Sequence, residues 1–521
     1  MTEYDAVLIG AGHNALACAA HLASKGWRVA VFEQAALPGG AVKTLPLTEP
    51  GFLHDWGAMN LSLFAGSGFY RTHNAALAQH GLELAPVRDC FATLFPDGRW
   101  LGVSTDLEET SAWIAAFSQA DAATWRKLVA DFPGEAELIF ALLGGPMHIR
   151  ALASFLYRLV RARGRSGAAE MIRFLLASPR AWLGKTFESP QMRALLGVWG
   201  LHLDFAPDVA GGAVFPYLEG MANQSFGMVL GKGGADTMIR AMVGMIEAAG
   251  GTVTCNATVA KITRARHRAT GIVLADGTEI TAKKAVIAGV GPRALPGLLG
   301  GPTNRHHDLA MERYVHAPGT MMIHLAMEDL PAWPDPKLRE FAYVHLAPSL
   351  EAMGRVYAQA SEGLLPDAPA IVVGQPTAID PSRAPSGKHV LWLQVRVVPG
   401  TITGDAAGEI AAQSWEAAAA PMAERALALL ERHAPGTRAR IRSQRIVTPI
   451  DLEADNPNLV GGDQITGSQH ITQNFLFRPA WGYADGTTPV DRLFMTGAAV
   501  WPGAGVGAGS GYLLGRKLAG P

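Results

Sequence analysis

The stretch VLIGAGHNALACAAHLASKGWRVAVFE, residues 7–33, decides the fold. Ala6 to Ile9 form a short apolar run that suits a buried parallel strand. Gly10-Ala11-Gly12-His13-Asn14-Ala15 follows, and LACAAHLASKG then repeats apolar and small residues at helical spacing until Gly26 stops it. In this strand–turn–helix unit, Gly10 permits the turn and Gly12 lets the backbone approach a pyrophosphate. Ala15 is small enough for the helix to pack against the strand, and the helix N-terminus offers unpaired N–H groups and a positive dipole end. His13 and Asn14, in the first helical turn, are expected beside that diphosphate. A second strand, Arg28 to Phe32, ends in Glu33, about 20 residues past the glycines, where an acid accepts hydrogen bonds from the ribose and repels a 2′-phosphate. The expected ligand is an adenosine dinucleotide, FAD or NAD rather than NADP.

Two further segments narrow the choice to a flavin. Pro38-Gly39-Gly40-Ala41-Val42-Lys43-Thr44 brings a second glycine pair close to the ribose acid, and Gly39, Gly40, Ala41 and Thr44 are read as cofactor contacts. Near the C-terminus, Arg492 to Thr496 reads as a strand closed by Gly497. Trp501-Pro502-Gly503-Ala504-Gly505-Val506-Gly507 then leads into a helix of small residues ending near Leu518. That helix N-terminus suits the electron-rich pyrimidine edge of a reduced flavin, so Gly497, Gly503, Gly505 and Val506 complete a site held from both ends of the chain. The loop Gly51 to Gly57 carries His54 and Asp55, the candidate catalytic residues, with Asp55 read alternatively as a ligand of backbone or ribityl groups.

The middle returns to the same pattern. A glycine turn, Gly231 to Gly234, precedes a helix, Asp236 to Ala249; strands are expected at Thr252 to Cys255, Ala257 to Ile262, Gly271 to Leu274 and Ala285 to Ala288, with a hairpin at Ala275-Asp276-Gly277. Thr320 to Ala326, Ala370 to Gly374 and Val390 to Val398 read as strands of a second sheet. The expected fold class is α/β: a Rossmann-like FAD-binding domain assembled from discontinuous segments, 1–70, 228–295 and 485–521. It is joined by an α+β substrate-binding domain with an antiparallel sheet, 71–227 and 296–484, whose helical region spans about 106–205.

GAGHNAL (10–16), GGAVKT (39–44) and TPVDRLFMTGAAVWPGAGVGAGSG (488–511) together resemble the phytoene-desaturase-like FAD-dependent oxidoreductases. Within them the chain is similar to the branch with carotenoid ketolases of the desaturase type, retinol saturase and pyridine nucleotide-disulfide oxidoreductase domain proteins. Lys232-Gly233-Gly234, GGTVTCNATVAKI (250–262) and DPSRAPSGKHVLWLQV (380–395) extend the resemblance over most of the chain. It implies FAD, a fold like those of amine oxidases and Rab GDP-dissociation inhibitors, and apolar, elongated substrates. It also implies adenine pairing by the backbone of Val259 and a place near the diphosphate for Gly289. Ala15 stands where close relatives commonly have glycine. Ala41 stands where amine oxidases have arginine, which argues against a monoamine-oxidase-like reading.

Composition bounds the partners. With 44 basic and 45 acidic residues the net charge is -1, so no field gathers nucleic acid. At 49% hydrophobic and 17% charged residues, the chain implies a large apolar interior, pocket or contact surface. Cys18, Cys90 and Cys255 lie far apart, which suggests neither disulfides nor a zinc site and fits a reducing cytoplasm. No metal is expected; the adjacent His306 and His307 lack ligand spacing and read as a surface turn. The opening residues show no export signal, and the greasiest stretch, LFMTGAAVWPGAGVGAGSGYLLG (493–515), is too interrupted to span a bilayer.

The segment at 147–165 holds five arginines and no acid. It reads either as a helix touching anionic lipid, giving peripheral membrane association, or as a core-packed helix with a solvated basic face. Trp56, Tyr217, Phe226, Trp481, Tyr483 and Trp501 are expected to line an apolar cavity. The function expected is hydride transfer from an apolar, unsaturated or isoprenoid-like small molecule to flavin N5, as a dehydrogenase, desaturase or oxidase. The electron acceptor is open among oxygen, quinone and another flavoprotein. The alternatives are a redox-neutral flavin-dependent isomerase or hydratase, and a non-catalytic binding protein on the GDP-dissociation-inhibitor-like scaffold.

Overall fold

In the computed structural model, which describes residues 3–521, Ala6 to Ile9 lie buried at the middle of a seven-stranded sheet. Its order is Val259–Ala265, Arg268–Leu274, Glu279–Ala288, Glu3–Ile9, Val29–Phe32, Thr252–Thr254. Glu3–Ile9 is parallel to both of its neighbours. Its unbroken apolar run follows from burial on both faces. Glu279–Ala288 divides its outer edge: its first residues pair antiparallel with Arg268–Leu274, and Val286 to Ala288 pair parallel with Leu493–Met495. One face is covered by helices His13–Ser24, Thr237–Ala248 and Gly509–Ala519. The hairpin strand begins at Val259 rather than Ala257, because the N–H groups of Asn256 and Ala257 donate to Ala35 O and Glu33 O, beyond Val29–Phe32.

The second sheet runs Ile441–Val447, Gly319–Met327, His389–Val398, Ala370–Gly374, Tyr343–Leu346, Asp89–Leu94, Trp100–Ser104. Every pairing is antiparallel except that of Tyr343–Leu346 with Asp89–Leu94. Six helices from Leu107 to Phe226 carry the helical region about twenty residues past 205, because Val214–Phe226 packs back on Pro190–Leu201 and Gln119–Leu143. His306 and His307 form no surface turn: Asn304 caps a helix, Arg305–Glu312, which turns His307 inward against Tyr483.

A buried arginine ties three segments together. Arg383 donates to Asp55, to Asp380 Oδ2 at 3.3 Å and to Gly231 O at 2.6 Å. Asp55 also accepts from Thr44 Oγ1 and Ala235 N, each at 2.8 Å. Burial works against the guanidinium charge, but the two carboxylates outweigh it and raise its pKa. Replacing Arg383 with Met would leave both acids buried without their cation. A loss of about 3–5 kcal/mol is expected from such a break; a urea midpoint unchanged in Arg383→Met would show that the network is not holding these segments.

Candidate functional site

A cavity of about 1030 Å³ opens where the glycine loop, the C-terminal glycines and the second sheet meet. That is the upper end of the ~300–1,000 Å³ range of ligand sites. Gly39 N donates to Ala11 O at 2.8 Å, and a Cβ on Gly40 would stand 3.3 Å from Gly12 Cα. The two loops are thus backbone against backbone. A Cβ on Gly12 itself would meet nothing within 4 Å, and Gly12 caps the His13–Ser24 helix without any side-chain bond to its first N–H groups. Unpaired helix N–H groups facing an open groove are what a diphosphate needs. Opposite, Gly497 adopts φ +130° with open space at its Cβ position. Ser510 Oγ locks it, accepting from Gly497 N at 3.0 Å and donating to Gly497 O at 2.9 Å. The Gly509–Ala519 helix also starts without a side-chain cap. The residues present therefore fit FAD.

Of the cofactor residues read from sequence, Gly12, His13, Asn14, Ala15, Gly39, Gly40, Ala41, Gly289, Gly497, Gly503, Gly505 and Val506 line the cavity. Gly10, Glu33, Thr44 and Val259 do not. Gly10 lies under Gly289, Thr44 bonds Asp55, and Val259 sits on the edge hairpin. Glu33 accepts from Ala11 N at 2.7 Å and Ala35 N at 2.9 Å, fixing the glycine loop to the end of the second strand. His13 bonds Asn14, and burial pushes its pKa down to about 4, so it is a neutral contact.

The catalytic candidates require correction. His54 shares a hydrogen bond with Thr48 Oγ1 at 2.8 Å and stands edge-on to His324; burial pushes it down to about 4. Asp55 is committed to Arg383. The hairpin with Thr44–Leu45 turns them to opposite faces, His54 towards His324 and Asp55 towards Ala235 and Arg383, and neither lines the cavity. Among the aromatics, Phe226, 72% exposed, and Trp501, whose Nε1 donates to Gly145 O at 2.8 Å, line the cavity. The others do not. Trp56 stacks on His324, Tyr217 packs among Phe132, Phe174 and Trp182 behind the wall, Tyr483 covers His307, and Trp481 is 56% exposed.

Sequence reasoning missed the polar wall: Trp199, His202, Glu219, Tyr343, Trp392, Gln394, Arg396 and Gln464. The signal was the period of two in HVLWLQVRVV, which sends Trp392, Gln394 and Arg396 to one face. Glu219 accepts from Asn223 Nδ2 at 3.1 Å, and burial pushes its pKa up to about 7.

Comparison with known proteins agrees with this architecture. The family described as flavin containing amine oxidoreductase matches residues 16–426. Pyridine nucleotide-disulfide oxidoreductase domain-containing protein 2 of Rattus norvegicus is 28% identical over 564 aligned residues, covering 98% of this chain and 92% of its own. Phytoene desaturase (neurosporene-forming) of Cereibacter sphaeroides is 25% identical, covering 96% and 91% respectively. In structure the chain is similar to an oxidoreductase from Methanosarcina mazei, with a TM-score of 0.61 and 18% identity over 99% of both chains, a likeness of fold.

Two outcomes follow from the site. Gly12→Val places a branched side chain in the open groove, so purified protein should lose its flavin absorbance; a stoichiometric flavin content would refute this placement of the cradle. Glu219 has a native pKa above its ordinary 4.5, so the folded state holds the extra proton. Its stabilising contribution is complete below that value and is lost as pH rises through about 7. Glu219→Gln should flatten the fall in melting temperature across that window.

Proposed function

The chain belongs to the flavin-containing amine oxidoreductase family and is an FAD-dependent oxidoreductase; within that class we propose that it takes hydride from an apolar, unsaturated or isoprenoid-like small molecule. The observation that carries the reading is a single cavity in which the glycine cradle continues into a corridor walled by Leu142, Leu175, Phe215 and Leu218. The likeness to a phytoene desaturase supports it. Bound FAD supplies a two-electron acceptor at ring N5 for a C–H bond laid against it. The chain's own part is binding, orientation and exclusion of water.

In this reading Gly10, Gly12 and Ala15 shape the diphosphate turn, and His13 and Asn14 flank it. Glu33 takes the ribose with the lone pairs its backbone donors leave. Gly39, Gly40 and Ala41 form the second backbone wall, braced behind by Thr44 through Asp55; Val259 meets the adenine through its backbone, and Gly289 closes the diphosphate side. Gly497, Gly503, Gly505 and Val506 lead the last helix to the flavin end.

The basic segment supplies a route for an apolar substrate. On helix Ile149–Leu176, Phe155 and Leu159 are buried, while Ile149 and Tyr157 are 63% and 64% exposed beside exposed Arg150 and Arg158. Apolar and cationic side chains on one accessible helix suit an anionic lipid surface. No helix among the described residues is long and apolar enough to cross a membrane.

Anaerobic mixing of the holoenzyme with a panel of apolar polyenes should bleach the flavin with at least one. Recovery in air then separates an oxidase from a dehydrogenase, and a flavin that no apolar donor bleaches counts against the reading. Phosphatidylglycerol vesicles should sediment the protein more strongly than phosphatidylcholine vesicles do. Ile149→Asp with Tyr157→Asp should abolish that difference at unchanged flavin content; retained sedimentation would remove this helix from the interface.

A further inference from the structure

The wall formed by the second sheet is chemically unlike the rest of the cavity. Strand His389–Val398 presents Arg396, whose one side-chain hydrogen bond is to His202 Nδ1 at 3.2 Å, while its Nε has no partner. Arg396 is half-buried against the cavity, whereas the two fully buried arginines are saturated. Arg383 has two carboxylates, and Arg478 donates to the carbonyls of Thr466, Gly467, Ser468 and Ala498. Asp463, a carboxylate acting on Arg396, already accepts from Ala317 N, Ile465 N, Gly467 N and His316. Burial lowers the Arg396 pKa, yet only to about 10, so it stays charged at neutral pH.

The neighbours share the same imbalance. Arg396 can only donate, so His202 Nδ1 is the acceptor and its Nε2 carries the proton, without a partner. Gln394 donates to Gln464 Oε1 at 2.6 Å, which leaves Gln464 Nε2 unpartnered. The indole N–H groups of Trp199 and Trp392 are unpartnered too. Against these donors stand two unpartnered acceptors on the cavity, Gln394 Oε1 and Asn223 Oδ1. A half-buried cation facing the cavity among donors that lack acceptors favours an anion as its partner, and the planar guanidinium fork matches a carboxylate.

We propose that the substrate is an apolar molecule bearing one carboxylate, which Arg396 receives together with His202 and Gln464. The inference rests on this cavity being the substrate site of the oxidoreductase. Calorimetric titration of the holoenzyme with decanoate, methyl decanoate and decylamine tests it. Decanoate should bind at least about thirtyfold more tightly than its ester, the factor expected for a desolvated charge pair, and decylamine should not bind. Arg396→Gln should weaken decanoate by a similar factor, leave the ester unaffected and retain flavin; Arg396→Lys should recover part of the loss. Equal affinity for acid and ester overturns the proposal, as does Arg396→Gln weakening both alike or emptying the flavin site. If the variant does not fold, the acid-to-ester comparison on the unaltered holoenzyme decides. Because heat of binding is read rather than bleaching, a holoenzyme that binds decanoate but oxidises nothing would fail the functional reading and keep this one.

Discussion

The carbonyl of Asn14 occupies the place where a side chain on residue 511 would have to be: a Cβ there would stand 1.8 Å from the oxygen. Only glycine lets the first and last helices of the chain cross so closely, and one turn on, Gly515 repeats the arrangement against His21. Everything in the cofactor half depends on that approach. It sets the uncapped start of His13–Ser24 and the uncapped start of Gly509–Ala519 on one cavity, so two dipole ends converge without a basic side chain among the cradle residues.

The two halves are joined by the opposite device. Where the helices meet through absent side chains, the sheets meet through a fully committed one, Arg383, with partners in the hairpin at 55, the turn at 231 and its own loop at 380. A cation that is satisfied on every side fixes geometry; Arg396, which is not, leaves chemistry to be completed by whatever enters. Burial and saturation run together here: Arg383 is fully enclosed and fully paired, while Arg396 is half-buried on the cavity and keeps donors free.

The cofactor half was legible because its rules are local. Gly10, Gly12 and Glu33 lie within one strand–helix–strand unit, and Gly497 to Gly507 within another, so spacing alone carries the argument. The polar wall was not legible, because His202, Gln394, Arg396 and Gln464 come from a helix end, a sheet strand and a loop that tertiary folding alone brings together. His54 and Asp55 misled for a related reason. A polar pair in a glycine-bounded loop resembles an active site until its partner appears, and Arg383 lies 328 residues from Asp55. Trp481 misled differently: an aromatic beside a motif carries no sign of which way it faces.

The divided edge of Glu279–Ala288 bears on how the protein is made. Its first half is covered by the hairpin strand that precedes it in the chain, while Val286 to Ala288 wait for Leu493 to Met495. On the ribosome, the sheet therefore keeps an open parallel edge through the synthesis of some two hundred residues. The groove between Gly12 and Gly497 does not exist until the last strand docks. A chain cut short before residue 493 would keep most of the sheet and lack the C-terminal wall of the cofactor site.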